Sequence, residues 1–206
     1  MVERPTLART HPLERWEPAL TELSYNLAPE DLSIQTEPVI ATTTLRVDPD
    51  GPGGERVARV LGPALPTRPN TWVDTADGQI IWLGPDEWLV TSAVAPPEVL
   101  EQTLLRMVAP HGGAAVDVSA QRTGLRVRGT RARDLLASGC SVDLHPSVLP
   151  TGSCAQTNVG QTGVLLLVLG AGEDFRLFVR PSFAGYLADW LLDAAHEFRT
   201  DAWSPA

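Results

Sequence analysis

The stretch Val116–Thr157, VDVSAQRTGLRVRGTRARDLLASGCSVDLHPSVLPTGSCAQT, decides the fold. It opens on an apolar–polar alternation, Ala115, Val116 and Val118, passes through polar Ser119–Arg122, and resumes the period of two at Leu125 and Val127. Alternation of this kind reads as half-buried strand, because successive side chains of a strand point to opposite faces. Gly129 breaks the pattern, and Thr130 stands where its hydroxyl would cap a helix. Ala132, Leu135 and Leu136 share one face of that short helix, and Gly139 suits a left-handed residue ending it. Asp143–Pro150 then returns as a Pro-punctuated loop to a strand at Ser153–Asn158. The unit is strand, helix, loop, strand.

Working back toward the N-terminus, the same order recurs. Met1 to about Glu37 is rich in proline and charge, with only Leu20, Leu23 and Leu27 spaced as a helical turn or two, and it reads as an arm lying on the body. Thr42–Val47 is a β-branched strand, and Asp48–Gly54 (DPDGPGG) has the composition of a loop. Val57, Val60 and Leu61 predict a short helix closed by Gly62–Pro63. Strands follow at Thr71–Thr75, Gln79–Leu83 and Trp88–Val94, the last two joined by a hairpin turn at Gly84-Pro85-Asp86-Glu87. Val99, Leu100, Thr103, Leu104, Met107 and Val108 fall on one helical face, begun at Pro96–Pro97.

Toward the C-terminus come strands at Thr162–Leu169 and Phe175–Val179 around a Gly170–Asp174 turn. A final helix is expected, capped by Ser182, with Phe183, Tyr186, Leu187, Trp190, Leu191, Ala194 and Phe198 as its core-facing stripe. Leu45-Arg46-Val47 answers Leu125-Arg126-Val127, and Leu65-Pro66-Thr67 answers Leu149-Pro150-Thr151. The order β–α–β–β–β–α occurs twice. The fold class is therefore α+β, an internally duplicated unit whose helices cover one face of a mostly antiparallel sheet. The division is an N-terminal arm (1–39), a first repeat (40–113), a second repeat (114–199) and a C-terminal tail (200–206), together one body.

Composition narrows the function. The chain has 206 residues, 43% hydrophobic and 20% charged, with a formal net charge of −9. These are the proportions of a globular domain, and the acidic balance argues against a nucleic-acid partner, which requires clustered Lys and Arg. The longest apolar run, Val164–Leu169, is strand-sized, so no membrane span is expected. The N-terminus lacks the apolar core of a signal peptide. Cys140 and Cys154 do not make a disulfide framework, which favours a reducing cytoplasm.

No chemistry assembles from neighbours in sequence. His11, His111, His145 and His196 are scattered without metal-ligand spacing. Cys140 and Cys154 read as structural thiols, and His145–Pro146 as loop structure. Asp117, Ser119 and Arg122 read as a hydrogen-bonded turn. Neither a dinucleotide nor a nucleotide-phosphate glycine loop is present. The six tryptophans are the anomaly. Trp72, Trp82 and Trp88 lie on adjacent predicted strands, Trp16 and Trp203 in the terminal arms, and Trp190 in the core. Such a surplus suits either a Trp-rich core edge or an interface.

The central stretch closely resembles the γ subunits of heterotetrameric sarcosine oxidases. The residues that carry the resemblance are Val116–Ser119, Gln121–Thr123, Arg131–Leu136, Gly139-Cys140, Asp143–Pro146 and Cys154–Thr157. Leu83–Leu89 and the Phe183–Phe198 helix extend it over nearly the whole chain, while Asp48–Gly54 and Met1–His11 depart from it. The resemblance implies a fold related to the folate-binding domain of glycine-cleavage aminomethyltransferases. It also implies an accessory chain of a cytoplasmic bacterial complex that demethylates sarcosine oxidatively to glycine, producing peroxide and passing the one-carbon unit to tetrahydrofolate. The implied partners are α, β and δ subunits, which would hold the FAD, FMN, NAD, tetrahydrofolate and zinc. No catalytic, cofactor-binding or metal residue carries over to this chain, although Cys140, His145 and Cys154 fall inside the matching motif. A free-standing folate-binding module of the aminomethyltransferase kind is the alternative.

Overall fold

The strands Ala41–Arg46 (β2) and Thr123–Arg128 (β7) bury their residues in an identical rhythm, three buried, one half-buried, one buried, one exposed. Around them, a computed structural model describes residues 10–170 and 173–198. The tail 200–206 with Trp203, and the first nine residues of the charged arm, lie outside the described residues. In chain order the elements are α1 (Glu17–Asn26), β1 (Ser33–Thr36), β2, α2 (Pro52–Leu61), β3 (Trp72–Asp74), β4 (Gln79–Gly84), β5 (Glu87–Ser92) and α3 (Pro97–Val108). Then come β6 (Ala114–Asp117), β7, α4 (Ala132–Ala137), β8 (Cys154–Val159), β9 (Thr162–Val168), β10 (Asp174–Val179) and α5 (Pro181–Ala194).

The ten strands form two five-stranded antiparallel sheets rather than one, ordered β3-β4-β5-β2-β6 and β8-β9-β10-β7-β1. Each row has the topology of the other, and the β–α–β–β–β–α order appears twice as expected. The strand at each row's end was not foreseen. β6 pairs with β2, Thr43 opposite Asp117, although Val116 and Val118 read as the opening of the β7 strand. A 3-10 turn, Ser119–Gln121, separates the two and carries the chain from one sheet to the other. Symmetrically, β1 lies in the segment read as an arm, yet pairs with β7, Ile34 opposite Val127. Each sheet is thus completed by a strand from across the sequence division.

Three apolar clusters follow from this arrangement. Leu20 and Leu23 of α1, Leu135 and Leu136 of α4, and Leu187 and Leu191 of α5 cover one side of the second sheet over Val127, Phe175 and Leu177. Val57 of α2 and Leu100 and Leu104 of α3 cover the first sheet over Trp88 and Val90. Ile81 and Leu89 of the first sheet meet Leu165, Leu167 and Phe178 of the second in a core between the sheets. The order of layers is helix, sheet, sheet, helix, and burial of each large side chain contributes roughly 1.5–3 kcal/mol.

Close to the pseudo-twofold relation between the sheets, Thr71 bridges to Ser153. The Trp72 N–H donates to the Gly152 carbonyl at 3.1 Å, and the Cys154 N–H to the Asn70 carbonyl at 2.8 Å. Asn70 and Gly152 both adopt positive φ, 59° and 83°, at this matched place. Matching the halves by cross-strand partners shifts the correspondence by two residues. Leu45 faces Trp88 and Val127 faces Phe175, so Leu45 answers Val127 rather than Leu125.

Several local expectations are corrected. α2 begins at Pro52, inside the segment read as loop, because Gly53 and Gly54 are buried where any Cβ would collide with Val47 and the Pro49 carbonyl. The Thr130 hydroxyl donates to Asp31 at 3.1 Å instead of capping α4, whose N-cap is Arg131. Gly139 is not among the positive-φ glycines; it is small because a Cβ there would overlap the Trp190 indole. α5 starts from Arg180 and Pro181 without a side-chain cap, not from Ser182. Its buried stripe is Ala184, Leu187, Ala188 and Leu191, which leaves Phe183 and Tyr186 49% and 41% exposed. The two alanines let the helix seat closely on the sheet, and that rotates the aromatics to its flank.

Candidate functional site

A recess opens between the two sheets, a cavity of about 460 Å³ bounded by Trp72, Phe178, Asp74, Asp77, Gln79, Arg176 and Glu37. β10 places Arg176 and Phe178 on the sheet face opposite the buried Leu177, since strand side chains alternate. Gln79 begins β4 of the other sheet, and Glu37 follows β1. The Arg176 guanidinium donates to both Glu37 carboxylate oxygens, Nε to Oε2 at 2.6 Å and Nη2 to Oε1 at 2.8 Å. Its remaining Nη1 donates to Gln79 Oε1 at 2.6 Å, which ties the two sheets together. Behind it, Arg126 donates through Nε and Nη2 to Asp174 at 2.8 and 2.7 Å. Arg128 lies 3.4 Å from the same carboxylate.

Both forks have the planar two-point geometry that makes arginine–carboxylate pairs strong. Burial by itself would raise the Asp174 carboxyl. The hydrogen bond from Arg126, with the charges of Arg126, Arg128 and Arg176, outweighs that and holds it below its ordinary value. Arg126 is raised by its hydrogen bond to Asp174 despite burial. The cleft's cations are therefore spent on the cleft's own acids, and the arrangement clamps the sheets. Glu37, Gln79, Arg126 and Arg176 are far apart in sequence, and no local signal marked them.

The residues singled out in sequence do not come together. Cys154 is buried, its thiol directed at the Thr71 and Trp82 carbonyls at 3.5 and 3.6 Å. Burial pushes that thiol up to about 12, which leaves it protonated and non-nucleophilic. Cys140 is half-buried, bridged to Val159 at the far end of β8 from Cys154, with its sulfur 4.0 Å from Thr157 Oγ1, and both thiols are free. His145 closes an exposed loop, its backbone N–H on Asp143 Oδ1 at 2.8 Å and its ring on Ser147 at 2.7 Å. The Asp117 carboxylate accepts from the Ser119 backbone N–H at 2.9 Å, and Ser119 Oγ in turn accepts from the Thr42 N–H at 2.8 Å. That is the turn expected there, but Arg122 takes no part in it and lines a separate recess with Arg180. Among the described residues no group of three or more His, Cys, Asp or Glu is placed to hold a metal ion, and no helix is long and apolar enough to cross a membrane.

The tryptophans are largely spent on the fold. Trp88 is fully buried and donates to the Pro66 carbonyl at 2.8 Å. Trp72 donates across the sheets to the Ser153 carbonyl at 3.1 Å, and Trp16 to Asp189 at 2.7 Å. Trp82 and Trp190 pack against the two helix-side cores. The exposed aromatics among the described residues are Tyr25, Phe183 and Tyr186.

Two duplicated antiparallel sheets between helical layers define the class: an α+β scaffold of the aminomethyltransferase type. The glycine cleavage system aminomethyltransferase T from Bartonella henselae matches 84% of this chain and 48% of its own at TM-score 0.61 and 15% identity, a likeness of fold. A chain of the heterotetrameric sarcosine oxidase from Corynebacterium sp. U-96 matches 96% of this chain and 99% of its own, at TM-score 0.85 and 28% identity. In sequence, the sarcosine oxidase subunit gamma of Corynebacterium sp. (strain U-96) is 32% identical over 163 residues, 77% of this chain and 78% of that one. The same subunit of Arthrobacter sp. is 31% identical over 156 residues, 75% of each. The model of the "Sarcosine oxidase, gamma subunit family" matches residues 48–197. The chain belongs to the sarcosine oxidase gamma subunit family.

Proposed function

We propose that this chain is the accessory, non-catalytic γ subunit of a cytoplasmic heterotetrameric sarcosine oxidase. It packs against α, β and δ subunits and stabilises a complex that demethylates sarcosine to glycine, reduces oxygen to peroxide and passes the one-carbon unit to tetrahydrofolate. The flavins, NAD, folate and zinc belong to the companions. One observation carries this reading: the cleft where the fold has room is crossed by the Arg176–Glu37 fork and its Gln79 bond, so the charged groups that would grip a ligand hold the sheets instead. Omitting this chain from a four-subunit co-expression is expected to lower the complex's yield and thermal stability. The chain purified alone is expected to carry no flavin. A three-subunit complex of unchanged stability and turnover would contradict the reading.

A second reading, a folate-binding module, is favoured by the cleft's lining. Trp72 offers an aromatic face, and Asp74 and Asp77 offer carboxylates that a pterin's N–H groups suit. Submillimolar binding of tetrahydrofolate by the isolated chain, abolished in Asp77→Asn, would establish it.

A further inference from the structure

Arg122 follows the turn between β6 and β7 and is half-buried in a recess of about 360 Å³, shared with Arg180, Gln156 and Asn158. Among the described residues no carboxylate forms an ion pair with either guanidinium. The acidic group that acts on Arg122, Glu87, is hydrogen-bonded to Arg46 at 3.0 Å. Burial lowers Arg122, and the like charge of Arg180 lowers it further, yet a guanidinium stays protonated at any working pH. The isolated chain therefore holds a partly desolvated cation against a second cation, which costs stability until an anion arrives. Arg180 is also the N-cap of α5, whose first turn contains no acidic residue, so the helix's positive end adds to the field.

The helix that Arg180 opens also carries exposed aromatic side chains. Phe183 and Tyr186 lie three and six residues beyond Arg180 on α5 and are 49% and 41% exposed. Arginine together with exposed aromatic residues is the composition of interface centres. A chain of net charge −9 that gathers uncompensated positive charge here marks the partner's chemistry as acidic. A free small carboxylate would neutralise the arginines but leave the aromatics wet, whereas a polypeptide covers both.

We infer that this surface docks an acidic segment of a companion subunit, one carboxylate entering between Arg122 and Arg180 while flanking apolar residues cover Phe183 and Tyr186. The inference rests on the assembly proposed above.

The test uses the co-expressed four-subunit complex, with Arg122→Gln/Arg180→Gln and, separately, Phe183→Ala in this chain. Dissociation is followed by native mass spectrometry at rising NaCl. Wild type is expected to lose this chain steeply with salt. The double variant is expected to bind roughly 30-fold more weakly with a flatter salt dependence, and Phe183→Ala to weaken binding at every salt concentration. The free double variant should melt at or above the wild-type temperature, because the substitutions relieve a repulsion. An equally tight complex with an unchanged salt slope overturns the inference while leaving the assembly reading intact. So does arginine-dependent binding of free glutarate by the isolated chain when assembly of the double variant is unaffected. A wild-type chain that never enters the complex overturns both.

Discussion

The two halves share a backbone and differ in what they present between the sheets. Arg46 faces Glu87 in the first half and Arg128 faces Asp174 in the second, an acid–arginine pair at one matched place. Two residues along, Leu89 faces Thr44 in the first half, but Arg176 faces Arg126 in the second. The first copy thus gives an apolar side chain to the inter-sheet core, and the second gives a pair of arginines neutralised by Glu37 and Asp174. Duplication sets where the strands lie, and the side chains then divide the work. At this position one copy seals the interface while the other carries the charge that locks it.

Breaking the exchange of edge strands should have the largest effect. A chain beginning at residue 37 lacks β1 and α1 and leaves β7 with an open edge over an uncovered core; it is expected to lose cooperative thermal unfolding. Trp190→Ala should cost about 3–5 kcal/mol, read as a drop in Tm, because the indole fills the space left by Gly139 and Gly160. The matched positions sharpen the comparison further. Leu89→Ala should cost about 3 kcal/mol through a cavity, and Arg176→Leu a similar amount, about 3 kcal/mol, by removing both hydrogen bonds to Glu37 and leaving it only the Arg126 guanidinium at 4.0 Å. Salt should leave the first cost unchanged and lessen the second.

Asp174→Asn should cost about 2 kcal/mol at neutral pH, with a defined pH dependence. The folded-state pKa of Asp174 lies below its unfolded value. Its contribution is therefore complete above the unfolded value near 3.9 and is lost as pH falls through the lower folded value. The variant and wild-type urea midpoints should converge in acid. The smallest effect belongs to Thr130→Ala, under about 0.5 kcal/mol; a loss of a full kcal/mol would restore Thr130 as a cap.

The duplicated order was legible because its signals are local: the period of two in Leu125 and Val127, the hairpin turn before Trp88, the prolines opening α3 and α5. The edge-strand exchange was not. Val116 and Val118 announce a strand, but nothing in their alternation says which sheet it joins, and pairing is set by partners distant in sequence. The two-residue offset between halves has the same origin. Leu45-Arg46-Val47 and Leu125-Arg126-Val127 match as text, whereas Trp88 and Phe175 set the register. Gly53 and Gly54 read as loop by propensity and were drawn into α2 by packing. The cleft was invisible for a related reason, since Glu37, Gln79 and Arg176 meet only after both sheets have formed.

All of this makes the chain one rigid scaffold rather than two linked halves. Native-state hydrogen exchange is the direct test. The slowest amides of β2 and β5 and those of β7 and β10 should open with the same free energy, through one global unfolding. Opening energies that differ by more than about 2 kcal/mol between the two sheets, with one set exchanging while the other stays protected, would contradict it.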